Sequence, residues 1–556
     1  MRVPALINLS DTTVASPRVF FKLLRRKFNY LAAAKNDCSV EGAITPALWL
    51  SLGLIFLTGA AFQIIHPTIP DISWLFVVDN RWLDGERIYR DFFETNPPMS
   101  AFLYMPAVLI ERTGLMTADI AQVGITLLLV GVSLASTARL VWTVRAPRAI
   151  ATWLLMAAMM LIAIPTSMFA EREHIGLVLL LPSLALIERR HAGLSAPFAV
   201  CLALGLASGL AICIKPHFAV ALGLPMLGLC IRKRTIRPLF TTESYAAAAV
   251  ALAYAVVVWV WFRPYLTDVL PMLNDTYRIF REYPDRLMLY PPLLVFYGVT
   301  LATALVLRRG ALRPSVAVPM LAAIGFLFSY FEQGKGWIYH LYPAIALGYI
   351  TFLSEAMPVV IETLQKRDEQ MKRRVLSGIL GLFVVGSLVQ MIPLLKNFNP
   401  HPIALVERLK KLHPHPRLYV FTCDMAIGQP LTRMIGARYV GSFAHLFMTE
   451  VATVYPWTRN PTDEQRQRLA MRMAQDREIM VSDIRKGKPD IVLVHQESFP
   501  WHQMMSSGSE IAKLMSHYHW VDTIEGIDIL VPTSAADPSQ ATVPDLFSVS
   551  SDPRAD

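Results

Sequence analysis

Long apolar runs alternate with short basic clusters along most of this chain, and the alternation predicts a polytopic membrane protein. The first run, residues 45–65, is long enough to cross a hydrocarbon core of about 30 Å. Further runs at 118–141, 149–169, 175–187, 195–214, 218–231, 243–262, 290–307, 314–331, 339–357 and 375–395 bring the total to about eleven spans. Runs 175–187 and 218–231 are short for a full crossing. Arg145 and Arg148, Arg189 and Arg190, Arg232 to Arg234, Arg308 and Arg309, and Lys372 to Arg374 all fall on one side of this register, together with the basic residues before position 45. The positive-inside rule then places residues 1–44 in the cytoplasm and the C-terminal tail outside. Residues 1–44 show no apolar core or small-residue cleavage site, so they read as a cytoplasmic lead-in rather than a signal peptide.

Three stretches do not fit as spans. Residues 66–117 form a long outer-face loop. Its apolar piece, 99–110, is too short to cross and is expected at the membrane interface. Residues 263–289 form a second outer loop. Residues 396–533 have the pattern of a soluble α/β domain, with strands expected at 417–422, 437–443, 490–495 and 526–532 and a polar helix over 463–485. Residues 534–556, rich in Ser, Asp, Pro and Ala, read as disordered. The fold class is therefore a mainly α membrane module over 45–395 with a C-terminal soluble α/β domain.

Composition narrows the classes further. Of 556 residues, 54 % are hydrophobic and 17 % charged, and the mean hydropathy is +0.42. Soluble domains carry about 25 % charged residues, so a disordered chain, a fibrous repeat and an ordinary cytosolic enzyme are excluded. Five cysteines exclude a disulfide scaffold. The net charge of +10 sits in the clusters that set topology, so the partner it implies is membrane lipid and not nucleic acid. No phosphate-binding glycine loop and no zinc spacing stands out.

Four polar constellations map to the outer ends of spans. The first is Asp71 after Pro70, followed by a stretch containing Asp91 and Glu94. The second is Arg172-Glu173-His174, the third Lys215-Pro216-His217. The fourth contains Gln333, Lys335, Tyr339 and His340. Ionisable groups at membrane depth are costly and point to function. A carboxylate beside phosphate-binding cations suits group transfer from a phosphate ester, with the carboxylate taking the acceptor's proton and the cations holding the leaving phosphate. A divalent cation held by Asp71 with Asp91 or Glu94 is a further option, because hard cations favour carboxylate oxygens. No other cofactor is indicated.

The first loop resembles that of the GT-C glycosyltransferases, in particular bacterial relatives of the protein O-mannosyltransferases and of the lipid A aminoarabinose transferase. The resemblance rests on Pro70-Asp71, on Gly85, Tyr89 and Asp91, on Pro97-Pro98, on Arg172-Glu173-His174, and on Gln333, Lys335, Tyr339 and His340. It implies an inverting hexosyl- or pentosyltransferase of a bacterial inner membrane. The donor would be a polyprenyl-phosphate sugar, and the acceptor a glycan, lipid or protein. It matches Asp71 to the family's first-loop carboxylate, and Asp91 is expected beside it as a second catalytic residue that acts through the acceptor, a cation or the loop. Substrate binding falls to Glu94, Arg172, Glu173, His174, Lys215, His217, Gln333, Lys335, Tyr339 and His340. Two positions depart from the pattern: Ile72 stands where the family often has a second acid, and Asn96 where it often has a lysine before Pro-Pro. The competing reading is a transporter or flippase. Transporters place their sites near the midplane and carry internal repeats, and no clear two-fold repeat is visible here.

Overall fold

The computed structural model describes residues 46–66, 68–277, 281–307, 313–356, 403–458, 461–498 and 509–533. The lead-in 1–44, the predicted run 375–395, Arg308 and Arg309, Lys372 to Arg374, and the segment 534–556 lie outside the described residues. The membrane module is helical: α1 (Pro46–Ile65), α2 (Pro70–Leu83), α3 (Met99–Arg112), α4 (Ala118–Val141), α5 (Pro147–Ala158), α6 (Arg172–His191), α7 (Phe198–Ile214), α8 (Phe218–Lys233) and α9 (Thr242–Trp261). There follow α10 (Leu270–Thr276), α11 (Pro284–Met288), α12 (Pro291–Leu307), α13 (Pro314–Gln333) and α14 (Ile338–Thr351).

Local sequence explains many of the helix boundaries. Proline occupies the first turn of α2, α5 and α13, where its missing N–H costs nothing. Gly334 closes α13 in the left-handed region at φ 65°. Among the described residues, α1, α4, α9 and α13 are long and apolar enough to cross a membrane, and shorter apolar helices cover 147–163, 198–214 and 291–304. On α1, Leu50 and Leu57 are more than two-thirds exposed, as suits a surface that meets acyl chains. These helices make the chain an integral membrane protein.

The run expected at 175–187 belongs to a longer helix, α6, buried over nearly its whole length. It runs through the middle of the bundle, so its polar ends, Arg172-Glu173-His174 and Glu188, are enclosed by protein. That is why the apolar run looked short. Leu177, Phe218, Phe326, Tyr330 and Leu347 fill the bundle core around it. Small residues let α7 and α9 meet closely: a Cβ on Gly205 would stand 2.5 Å from the carbonyl oxygen of Glu243.

Two of the predicted loops carry helices. Residues 99–110 are helical, with one face buried and Pro106 and Leu109 exposed. They form α3, with Tyr104, Ala107 and Val108 fully buried because α3 packs between α2 and α4. The loop 263–289 is largely helical, carrying a π-helical turn (Tyr265–Val269), α10 and α11.

The C-terminal domain contains α15 (Ile403–Leu412), β1 (Arg417–Phe421), β2 (Arg438–Tyr439), α16 (Phe447–Thr458), α17 (Asp463–Gly487), β3 (Ile491–His495), α18 (Glu510–Met515), β4 (Tyr518–Ile524) and β5 (Ile527–Pro532). Its sheet order is β2-β1-β3-β5-β4. β1 pairs in parallel with β2 and β3, and β5 runs antiparallel to β3 and β4. The strand expected over 437–443 shrinks to Arg438–Tyr439, and β4 was not expected. A capping box of Thr462 and Gln465 starts α17.

One apolar cluster joins this domain to the first loop. Trp74, Tyr89 and Phe92 share it with Leu418, Val420, Tyr439 and Phe443. Polar contacts reinforce it: Arg81 donates to the Gly441 carbonyl at 2.6 Å, and Phe93 N–H donates to the Ser442 carbonyl at 2.8 Å. An apolar interface of this kind holds two domains in a fixed relation.

Candidate active site

Between the helix ends and the C-terminal domain lies a cavity of about 1080 Å³. Its helix side is lined by Asp71 at the start of α2, Arg172 at the start of α6, Lys215 and His217 between α7 and α8, and Gln333, Lys335, Tyr339 and His340 around the α13–α14 turn. The four constellations separated in sequence thus meet in one place. Of the residues expected at the site, Asp91, Glu94, Glu173 and His174 do not line the cavity, and each has a different reason.

Asp71 and Arg172 form an ion pair on the cavity wall. Arg172 Nη2 donates to Asp71 Oδ1 at 3.3 Å, and the Arg172 side chain is only 4 % exposed. Its Nε lies 3.7 Å from Glu171 Oε2. Among the described residues, Nη1 and Nε of Arg172 make no hydrogen bond. A buried guanidinium on a cavity wall supplies positive charge that favours an anion within reach.

Glu173 stands behind the wall and gathers Lys215, Gln333 and His340. Lys215 Nζ donates to Glu173 Oε1 and to Gln333 Oε1, both at 2.5 Å, and His340 Nε2 lies 3.3 Å from Glu173 Oε1. A carboxylate 1 % exposed and unpaired would be very costly, so Lys215, Gln333 and His340 are held as a set by one group. Lys335 Nζ donates to the Tyr277 carbonyl and sits 4.2 Å from the centre of the Tyr277 ring. Burial, with a smaller contribution from Arg281, pushes the Lys335 ammonium down to about 7.

Asp91, Glu94 and His174 stand off the cavity and bond to protein groups. Asp91 accepts the backbone N–H of Arg87 at 2.8 Å and pairs with the Arg87 guanidinium at 3.1 Å. These bonds hold its carboxyl below the usual range and stabilise the tight turn at Tyr89, whose φ is 69°. Glu94 is buried. It accepts from Trp74 Nε1 at 2.6 Å and from the Asn96 backbone N–H at 2.8 Å. His174 accepts the Ala170 N–H at Nδ1 (3.1 Å) and donates from Nε2 to the Leu161 carbonyl (2.9 Å), which pins Ala170 at φ 63°. A cation shared by Asp71 with Asp91 or Glu94 does not fit, because both of those carboxylates are already occupied by protein donors. Among the described residues no three His, Cys, Asp or Glu side chains are grouped for a metal ion.

The far wall of the cavity comes from the C-terminal domain, which the sequence had not tied to the site. Asp424, His445, Phe447 and Glu450 line it. A polar Thr-Cys-Asp directly after an apolar strand, RLYVF, was the available signal. Tyr277 and Arg281, at the cavity edge, were likewise missed.

A bundle of apolar helices with a charged cavity at its end, roofed by an α/β domain, defines an integral membrane protein with a candidate site at the rim of the helices. No family model matches the sequence, and no curated protein matches it. Solved structures do. ArnT from Cupriavidus metallidurans bound to undecaprenyl phosphate is 13 % identical, with a TM-score of 0.54, covering 89 % of this chain and 99 % of that one. The apo state of the same protein is 14 % identical at a TM-score of 0.54, covering 88 % and 98 %. The GT-C resemblance read from the sequence thus holds for the fold over most of the chain.

Proposed function

We propose that this protein is a membrane glycosyltransferase that moves a sugar from a polyprenyl-phosphate-linked donor to an acceptor hydroxyl. The observation that carries the reading is the Asp71–Arg172 pair at 3.3 Å on a cavity also lined by Lys215 and Lys335. It is supported by the fold shared with ArnT, whose crystal structure holds undecaprenyl phosphate.

In this reading the donor phosphate lies against Arg172 and Lys335, at the edge of the hydrocarbon where unpaired charge is expensive. The acceptor oxygen attacks the anomeric carbon from the opposite face. The new C–O bond forms as the bond to the phosphate oxygen breaks, with inversion. The acceptor proton passes to Asp71, and the electron pair leaves on polyprenyl phosphate. Arg172 and Lys335 strengthen their hold as negative charge grows on the departing oxygen. Glu173 positions Lys215, Gln333 and His340 and touches no substrate.

The topology belongs to the same proposal: about eleven spans, the N-terminus in the cytoplasm, and the cavity and C-terminal domain on the outer face of a bacterial inner membrane. Purified protein in lipid nanodiscs, given labelled polyprenyl-phosphate sugars with a cell-envelope extract, should release polyprenyl phosphate and label an acceptor. Unchanged turnover in Asp71→Asn would falsify the assignment of the base.

A further inference from the structure

The C-terminal domain closes the cavity with the carboxyl ends of its parallel strands. The chain leaves β1 for β2 on one side, then passes back across β1 to β3 on the other, and all three strands are parallel. Such a reversal opens a crevice beyond the strand ends, the place where open α/β sheets take ligands. Asp424 follows β1, and His445 and Glu450 follow β2; all three face the cavity. Asp424 Oδ1 is fixed by the Ala426 N–H at 2.8 Å. His445 Nε2 stands 3.7 Å from Glu450 Oε2, and the buried Nδ1 of His445 has no hydrogen-bond partner among the described residues.

The cavity is polarised across its width. Cations outnumber carboxylates on the helix side, where Arg172, Lys215, Arg281 and Lys335 stand with Asp71 and Glu332. Carboxyl groups line the domain side. A phosphate belongs on the first wall, and a second anion would be repelled from the other. Burial, followed by Asp424, pushes Glu450 up to about 7, while burial pushes His445 down to about 4. At neutral pH both can therefore donate as well as accept. Sugar hydroxyls do the same, whereas an ammonium group needs acceptors alone.

We infer that the crevice of Asp424, His445 and Glu450 is a glycan subsite that takes a neutral, hydroxyl-rich oligosaccharide as the acceptor. The word acceptor rests on the transferase reading above; the binding itself does not. The inference is tested on the full chain in nanodiscs by saturation-transfer NMR titration with four tetrasaccharides. Maltotetraose and cellotetraose are neutral, tetraglucosamine is cationic and tetragalacturonate is anionic. At least one neutral sugar should saturate a single site, and Asp424→Asn and Glu450→Gln should each weaken it by about tenfold. His445→Gln serves as a third variant if either of these melts below the wild type. The inference is overturned if no neutral sugar binds, if the cationic or anionic sugar binds more tightly, or if well-folded variants bind as the wild type does. Undecaprenyl phosphate is titrated in the same preparation. Its failure to bind counts against the transferase reading alone, whereas failure of the sugars alone counts against the subsite.

Discussion

Arg172 Nη2 donates to Asp71 Oδ1 at 3.3 Å, joining two helix starts that lie 101 residues apart. The bond orients the carboxylate, and Arg172 itself lines the cavity with its Nε and Nη1 enclosed by protein. Asp71→Asn keeps the size of the side chain but cannot take a proton, and loss of a general base lowers the rate by about 10²–10⁴. Arg172→Lys keeps the charge but not the planar fork. It should reduce kcat by at least about tenfold while membrane expression is kept. Steady-state release of polyprenyl phosphate reads both effects.

Lys335 should give the site a pH dependence. With its ammonium pushed down to about 7, the charge is present below that pH and lost above it. A phosphate monoester has its second ionisation near about 6, so it is already a dianion in this window. Affinity for undecaprenyl phosphate should therefore fall as pH rises from 7 to 9, by up to about tenfold per unit until the pKa of the bound state is reached. Glu450, pushed up to about 7, ionises in the same window and adds repulsion. Lys335→Met should accordingly flatten most of the slope without abolishing it. A wild-type slope in Lys335→Met would make Lys335 a mere anchor.

Glu173 is the hub that holds Lys215, Gln333 and His340 together. Glu173→Ala leaves Lys215 enclosed with Gln333 as its remaining bonded partner. Removing one member of a buried ion pair costs about 3–5 kcal/mol, so the variant should show a clear loss of thermal stability in nanodiscs. Combining it with Lys215→Met should restore part of that stability, because no uncompensated charge remains. A double variant no more stable than Glu173→Ala would argue against the pairing.

Arg433 clamps the C-terminal domain to the helices. It donates to Asp119 at 2.8 Å and to Glu111 at 3.0 Å, and its guanidinium stacks 4.6 Å from the centre of the Phe76 ring. Arg433→Ala should weaken docking by about 2–4 kcal/mol. Hydrogen exchange should then rise at the interface segments 441–443 and 81–93, while the strands β1 and β3 stay protected. Unchanged exchange at the interface would show that the apolar cluster alone holds the domain.

Hydropathy and charge were legible without a fold because both act locally. A span must shed water along its own length, and basic clusters report sidedness one loop at a time. The four polar constellations were found in the same way, as costly groups at span ends. Membership of the cavity was not legible for all of them. Asp91 and Arg87 stand four residues apart and consume each other. Glu94 is occupied by Trp74, twenty residues earlier, and no local pattern marks that contact.

The sequence by itself determined the class of the protein: a helical membrane module, its charged helix ends, and an α/β tail. Tertiary structure alone decided which charges share a space. Arg172 meets Asp71, Lys215 meets Glu173 and Gln333, and Asp424 and Glu450 close the far side from a domain more than 200 residues along the chain from Arg172. The physical reason is that burying a charge is tolerable only where a partner waits, and in a folded chain that partner is supplied by packing rather than by nearness in sequence.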